Sequence, residues 1–204
     1  MKLRAMLFVL VLLCIGAYWV VGVSSQEAEK PQGKEAMESH EAMVAKYGQP
    51  GEHHARLEEM VGTWKMAGTS WMAPGAEPMS WEGVAEKEMI LGGRFLREEV
   101  KSEMMGMPFN GIGIVGYDNV QGKYMWYWID DMSTGMMMSD GTADETGKVV
   151  TLLGKYMDPA TQTMQTVKSI VKITGEDTHM FEMHMMDAEG GGYKSMEIVY
   201  ERAE

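Results

Sequence analysis

Ten short runs of strand-forming residues, each ended by a turn signal, dominate the sequence after residue 62. The runs are rich in Val, Ile, Tyr, Trp, Thr and Met, and clusters of Gly, Pro, Asn and Asp separate them, as is typical of strands joined by short turns. They cover residues 63–73, 79–90, 94–104, 109–117, 123–130, 134–143, 148–157, 163–174, 178–186 and 193–202. Because no helical period of useful length interrupts the series, we predict an all-β domain of ten antiparallel strands in up-and-down order.

Closure of these strands into a barrel is expected because an open sheet would leave two unpaired edges. A sandwich of two sheets is the alternative. The alternation of side chains supports the strand assignment, since Tyr124, Trp126 and Trp128 share one face of the fifth run. The residues between them are also apolar, so we expect the outer face of this strand to be covered as well.

The residues before the strands predict an export signal, a tether and a short helix. Lys2 and Arg4 precede an apolar run over residues 5–23, and small residues follow it, which is typical of a secretory signal peptide over residues 1–25. The protein is therefore expected to be exported, either periplasmic or extracellular. The apolar run is also long enough to span a bilayer, so an uncleaved membrane anchor is the alternative.

Residues 26–49 are polar and charged and are expected to form a tether that is partly helical. Residues 52–60 predict one short helix at the start of a β-barrel domain over residues 50–204. Cys14 lies inside the predicted signal, so the exported chain would contain no disulfide and no cysteine ligand for a metal. The formal net charge of −12 argues against nucleic acid as a partner, and against membrane contact beyond an N-terminal anchor.

Ordered motifs across the domain carry a family resemblance. They are Pro50-Gly51-Glu52-His53-His54, Gly62-Thr63-Trp64, Trp71-Met72-Ala73-Pro74-Gly75, Ile90-Leu91-Gly92-Gly93-Arg94-Phe95-Leu96, Pro108-Phe109, Gly111 to Gly113, Gly116-Tyr117-Asp118-Asn119, Trp128 to Asp130, Ser133-Thr134-Gly135, Asp158-Pro159 and Met196-Glu197-Ile198 with Tyr200 and Arg202. Over about residues 50–202 they closely resemble domain-of-unknown-function family 1579, a bacterial family without an established activity. The resemblance implies a lipocalin-like or calycin-like barrel.

The Gly-Thr-Trp motif after a short helix is also similar to that of other calycin barrels, including the haem-binding nitrobindins. Those proteins end near a histidine that ligates the haem iron. The present chain ends in Tyr200-Glu201-Arg202-Ala203-Glu204, with no histidine there, which argues against haem. We therefore predict no cofactor.

The predicted function is the binding of a small hydrophobic or amphipathic ligand, because a ten-stranded barrel is wide enough for inward aromatic side chains to line a cavity. The predicted ligand-binding residues are Trp64, Arg94, Tyr124, Trp126, Trp128, Asp130, Tyr200, Arg202 and His54. In fatty-acid-binding barrels an Arg and a Tyr two residues apart on the last strand hold the ligand carboxylate. Tyr200 and Arg202 have this spacing in the reverse order. A barrel filled by its own side chains is the alternative.

An enzyme is a less favoured alternative, and we predict no catalytic residue. It would require His54, Asp130 and an interior arginine to converge at one end of the barrel. The sequence contains no phosphate-binding loop, dinucleotide fingerprint or nucleophile elbow.

The 24 methionines suggest a third function, the binding of Cu(I) or Ag(I) by thioether groups. Methionine also fills irregular cores without any such role. Within residues 179–186, His179, Met183 and Met185 share one face of the strand, and the other ligand-type residues share the opposite face. The ligand-type residues are thus divided between the two faces of the strand, so we predict no metal site. Oligomeric state is left open.

Overall fold

The computed structural model describes residues 33–158 and 161–203. The predicted signal peptide or anchor, and the start of the predicted tether at residues 26–32, lie outside the described residues. Among the residues that are described, no helix is long and apolar enough to cross a membrane. The chain divides into two units, residues 1–39 and 40–204. The described part of the first unit is the beginning of helix α1.

Two helices precede the sheet: α1 is Gly33–Tyr47 and α2 is Glu52–Glu58. The ten strands are β1 Gly62–Ser70, β2 Met79–Ile90, β3 Phe95–Met104, β4 Met107–Asp118, β5 Lys123–Asp130, β6 Met137–Ala143, β7 Val149–Asp158, β8 Thr163–Ile173, β9 Thr178–Met186 and β10 Gly192–Arg202. Each strand pairs with its sequence neighbours, and β1 pairs with β10. The prediction of a closed ten-stranded antiparallel barrel is therefore confirmed, and the sandwich alternative is wrong.

Alternation along the strands places one set of side chains inside the barrel. In β1, for example, Trp64, Met66 and Gly68 are buried, and Lys65 and Ala67 between them are exposed. Two details of the prediction are wrong. Residues 71–73 and 134–136 lie in loops and not in strands. The outer face of β5 is not fully covered, because Tyr127 is 36% exposed and Ile129 is 41% exposed.

The up-and-down order gives the barrel two chemically different ends. At one end lie the start of β1, the end of β10 and helix α2; we call this the helix end. Leu57 of α2 is buried in a cluster with Leu96, Tyr124, Trp126 and Leu152. The indole Nε1 of Trp64 donates a hydrogen bond of 2.8 Å to the carbonyl oxygen of Met60, which ties the chain after α2 to the barrel wall.

The opposite end, which we call the methionine end, carries the connections β1–β2, β3–β4, β5–β6, β7–β8 and β9–β10. Most of the methionines of the described chain lie in or next to these connections. They are Met72, Met79, Met104, Met105, Met107, Met132, Met136, Met137, Met138, Met157, Met164, Met183, Met185, Met186 and Met196. Because of this strand order, methionines that are far apart in the sequence lie at the same end of the barrel.

Candidate functional site

Four polar side chains meet inside the barrel at the helix end. They are Lys87 of β2, Glu98 of β3, His179 of β9 and Tyr200 of β10, and we call them the inner polar cluster. Each is less than 9% exposed. Lys87 and Glu98 are directly opposite each other in the β2–β3 pair, and Tyr200 is directly opposite His179 in the β9–β10 pair. The closed sheet brings these two pairs together across the interior.

Lys87 is the centre of the inner polar cluster. Its Nζ lies 3.1 Å from Oε1 of Glu98 and 3.0 Å from Nε2 of His179. The same Nζ lies 4.3 Å from the ring centre of Tyr200. The Lys87–Glu98 ion pair and the Lys87–His179 hydrogen bond compensate for the cost of burying these groups, which would be large for an isolated charge.

Burial controls the protonation of the cluster. It lowers the pKa of Lys87, and the neighbouring Glu98 carboxylate opposes that shift. The pKa of His179 falls to about 2, first because the ring is buried and then because Lys87 and Arg202 are cations. Burial also raises the pKa of Tyr200 well above its ordinary value. At neutral pH the imidazole and the phenol are therefore uncharged, and the Lys87–Glu98 ion pair has no net charge.

Among the described residues, two buried atoms of this cluster make no hydrogen bond: Glu98 Oε1, which has only its ion-pair contact with Lys87, and His179 Nδ1. The ring of His179 stacks on Tyr200 at 4.2 Å between centroids and meets the edge of Trp64 at 4.4 Å. Its Nε2 faces Lys87, but its buried Nδ1 makes no hydrogen bond. With Lys87 as the ammonium of its ion pair with Glu98, which donates protons and accepts none, Nε2 is assigned as the acceptor and Nδ1 carries the ring proton. The site therefore presents an unused buried N–H donor.

A pocket of about 480 Å³ lies against this histidine. It opens between the end of α2 and the turn between β8 and β9, and Trp64, His179 and Arg202 form part of its lining. Its other lining residues are Glu59, Met60, Ile173, Gly175, Glu176, Asp177 and Thr178. The volume falls in the range of roughly 300–1,000 Å³ that is usual for small-molecule sites.

Arg202 is already engaged by the protein. Its Nε donates to Asp177 Oδ1 at 2.9 Å, while Nη1 and Nη2 donate to the carbonyl oxygens of Val61 and Glu59 at 2.7 and 3.0 Å. Its guanidinium carbon also lies 4.2 Å from the ring centre of Trp64. Arg202 therefore connects β10 to β1 and to the chain after α2. Its guanidinium is already hydrogen-bonded and is not free to bind a ligand carboxylate.

A second pocket, of about 350 Å³, lies on the outer wall and contains two further predicted residues, His54 and Arg94. His54 Nδ1 accepts a 3.0 Å hydrogen bond from the Gly51 amide, and burial lowers the pKa of the His54 imidazole. Arg94 Nε donates to the Gly48 carbonyl oxygen at 2.9 Å. Both side chains thus hold the segment before α2 in place, away from the inner polar cluster.

The four predicted residues of β5 lie in other parts of the interior. Tyr124 and Trp126 are buried in the core that contacts α2, and the Tyr124 hydroxyl lies 3.0 Å from His53 Nδ1. Trp128 Nε1 donates to Asp130 Oδ2 at 3.0 Å, near the methionine end. Of the nine predicted residues, only Trp64, Tyr200 and Arg202 are found to contact His179 or to line its pocket. His54 and Asp130 lie near opposite ends of the barrel, so the convergence required by the enzyme alternative is absent from the described structure.

Sequence reasoning missed Lys87 and Glu98, and it considered His179 only as a possible metal ligand. A signal was present, because a charged residue interrupts the inward face of each of two neighbouring strands. Lys87 follows Ala85 on one such face, and Glu98 lies between Leu96 and Val100 on the other. Opposite charges on the inner faces of paired strands indicate a buried ion pair.

Comparison with known proteins identifies a family match and similar folds. The family model described as "Protein of unknown function (DUF1579)" matches residues 49–202. The crystal structure of Rv2717c from M. tuberculosis is 15% identical with a TM-score of 0.55, covering 76% of this chain and all of that one. A redesigned β-barrel is 13% identical (TM-score 0.39, 72% of this chain and 95% of the other). EF1p2_mFAP2b bound to DFHBI is 9% identical (TM-score 0.41, 75% and 100%). No curated protein matches significantly.

Proposed function

Because this chain belongs to the DUF1579 family of proteins of unknown function, we propose a function from the site itself: the barrel binds a small, uncharged amphipathic molecule at the helix end. One observation carries the proposal. The pocket between α2 and the β8–β9 turn reaches His179, whose buried Nδ1 has no partner among the described residues. An unsatisfied buried donor costs free energy, and a ligand oxygen that accepts its hydrogen bond removes that cost.

The surroundings of the pocket favour an uncharged ligand over an anion. The Lys87–Glu98 ion pair has no net charge, and Arg202 is engaged by Asp177 and two carbonyl oxygens. The rim also carries Glu59 and Glu176, whose carboxylates repel an anionic head group. The apolar part of the ligand would contact the indole of Trp64. These features argue against the fatty-acid-type carboxylate site that the spacing of Tyr200 and Arg202 first suggested.

Titration with the uncharged fluorescent ketone Prodan tests the proposal, since its carbonyl oxygen can accept the His179 hydrogen bond. We expect one molecule to bind per chain, with a blue shift of Prodan emission and quenching of Trp64. The His179→Phe variant keeps the aromatic stacking but removes the donor, and should weaken binding by about tenfold, the equivalent of one hydrogen bond. The His184→Phe variant, on the outer face of the same strand, is the matched control and should bind normally.

Two further measurements make the result decisive. Glu176→Trp fills the exposed mouth of the pocket without touching the inner polar cluster, so it should abolish Prodan binding in a normally folded protein. Dodecanoate should bind more weakly than Prodan. Tighter binding of dodecanoate would overturn the uncharged-ligand assignment. Equal binding of Prodan by the wild-type, His179→Phe and Glu176→Trp proteins would overturn the site.

We also propose that the protein is exported. The charged start, the apolar run over residues 5–23 and the small residues at its end support a signal peptide. N-terminal sequencing of the protein recovered from its host should find a chain that begins near Gln26. A chain that retains residues 5–23 and sediments with membranes would instead support the anchor.

A further inference from the structure

Three methionines on two neighbouring strands share the inner face of the barrel at the methionine end. Met183 and Met185 are alternate residues of β9, on the same face as the buried His179. Met196 of β10 is directly opposite Met183. Side chains directly opposite in an antiparallel pair have Cβ atoms about 4.5–5.5 Å apart, within reach of each other for long flexible side chains. Strand β9 thus supplies two thioethers, and β10 supplies the third.

An irregularity in the sheet produces this arrangement. The β9–β10 register shifts between Lys194 and Met196, so that Ser195 is an extra residue on β10. Ser195 is held there, since its Oγ donates to the Met183 carbonyl oxygen at 3.1 Å and its carbonyl accepts from the Trp71 amide at 2.8 Å. Such a bulge re-aims the residues around it. Without the extra residue, Ser195 would take the place opposite Met183.

The groups around these methionines are also suited to a ligand. Ser169 of β8 is directly opposite Met183 on its other side, is 0% exposed, and its Oγ has no hydrogen-bond partner among the described residues. The Tyr156 hydroxyl lies 3.9 Å from the Met185 sulfur, which places that thioether inside the barrel. A buried hydroxyl without a hydrogen-bond partner therefore lies on the strand next to Met183 and Met185.

We propose that Met183, Met185 and Met196 form a binding site for Cu(I) inside the barrel at the methionine end. Thioether sulfur is a soft, uncharged ligand, and soft ligands select Cu(I) over Zn²⁺, Mg²⁺ and Ca²⁺. The three rotatable bonds of methionine allow the sulfur atoms to converge without movement of the strands. This site is at the opposite end of the barrel from the His179 pocket, so it does not depend on the proposed small-molecule site.

The test is anaerobic titration of the full chain with Cu(I) in competition with the coloured chelator bicinchoninate. We expect one Cu(I) per chain, no binding of Zn²⁺ under the same conditions, and a sulfur-only or sulfur-dominated coordination sphere by X-ray absorption. The triple variant Met183→Leu, Met185→Leu, Met196→Leu should lose at least about 100-fold in affinity, because losing an outer-sphere partner alone costs a metal site 10–100-fold. Methionine-to-leucine changes conserve volume and usually cost little stability.

A matched triple variant separates the site from general methionine content. Met138, Met157 and Met164 belong to the same end but lie on the outer surface, each more than half exposed. Their replacement by leucine should leave Cu(I) binding unchanged. The proposal is overturned if the wild-type chain leaves the bicinchoninate complex intact, or if the two triple variants lose affinity equally. Melting curves of both variants confirm that any loss occurs in a folded barrel.

Discussion

The helix end and the methionine end of this barrel are built from opposite kinds of side chain. At the helix end, the Lys87 Nζ lies 3.1 Å from Glu98 Oε1 and 3.0 Å from His179 Nε2. At the methionine end, unbranched thioethers lie in the connections or on the strands beside them, and many of them are more than half exposed. The closed sheet is common to both ends, so the difference lies in the side chains and in helix α2, which packs at one end.

This contrast teaches how one fold can hold two kinds of binding surface. A buried ion pair has a strict geometry, because either charge is strongly disfavoured without the other. Methionine is flexible and polarisable, so it adapts to a ligand after the fold is complete. We therefore expect stability to depend strongly on residues of the helix end and weakly on the outer methionines.

The largest expected effect is that of Lys87→Met. It leaves the Glu98 carboxylate buried without its cation, which should lower the free energy of unfolding by about 3–5 kcal/mol. The double variant Lys87→Met, Glu98→Leu should recover most of that loss, since both charges are then absent. Urea denaturation followed by tryptophan fluorescence measures both.

The neighbouring residue provides the control for this prediction. Glu88 pairs with Arg97 at 3.0 Å on the outer surface, where both side chains are well exposed. Glu88→Ala should cost no more than about 1 kcal/mol. If Lys87→Met were equally mild, the inner polar cluster would not be a source of stability.

The next effect is on the pH dependence of stability. The folded-state pKa of His179 is lowered from 6.5 to about 2, so below pH 6.5 the unfolded chain binds a proton that the folded chain does not. The stability that comes from keeping the His179 ring neutral is fully present above pH 6.5. It is lost as the pH falls below 6.5, by ~1.4 kcal/mol for each pH unit. His179→Phe should remove this part of the slope between pH 6.5 and 4, whereas His184→Phe should retain it. Identical slopes for wild-type and His179→Phe proteins would show that the ring is protonated in the fold.

The smallest effect is expected at the outer surface of the methionine end. Met157 is 57% exposed, so Met157→Thr should change the free energy of unfolding by no more than about 0.5 kcal/mol. Thermal denaturation of this variant beside Lys87→Met compares the two ends directly. A loss above 1 kcal/mol would mean that these methionines pack against one another as a second core.

Much of the fold was predictable because it depends on local signals. Strand-forming runs between turn residues predicted all ten strands, and the unpaired edges of an open sheet predicted closure. The errors lie at residues 71–73 and 134–136, where apolar residues belong to loops. The site was predicted less well, because Tyr200 and Arg202 were chosen for their spacing on one strand, while Lys87, which contacts Tyr200, and Asp177, which binds Arg202, lie in other parts of the chain. Spacing along one strand says nothing about which other strands face it across the interior.

By itself, the sequence determined the order and number of strands, the family and the acidic charge, because each depends on composition or on residues close together in the chain. Only the tertiary structure decided that Lys87, Glu98, His179 and Tyr200 meet in one place. It also decided that a bulge at Ser195 turns Met196 toward Met183. Both outcomes depend on the register between strands and on the closure of β1 onto β10, which are properties of the whole sheet and of no single segment.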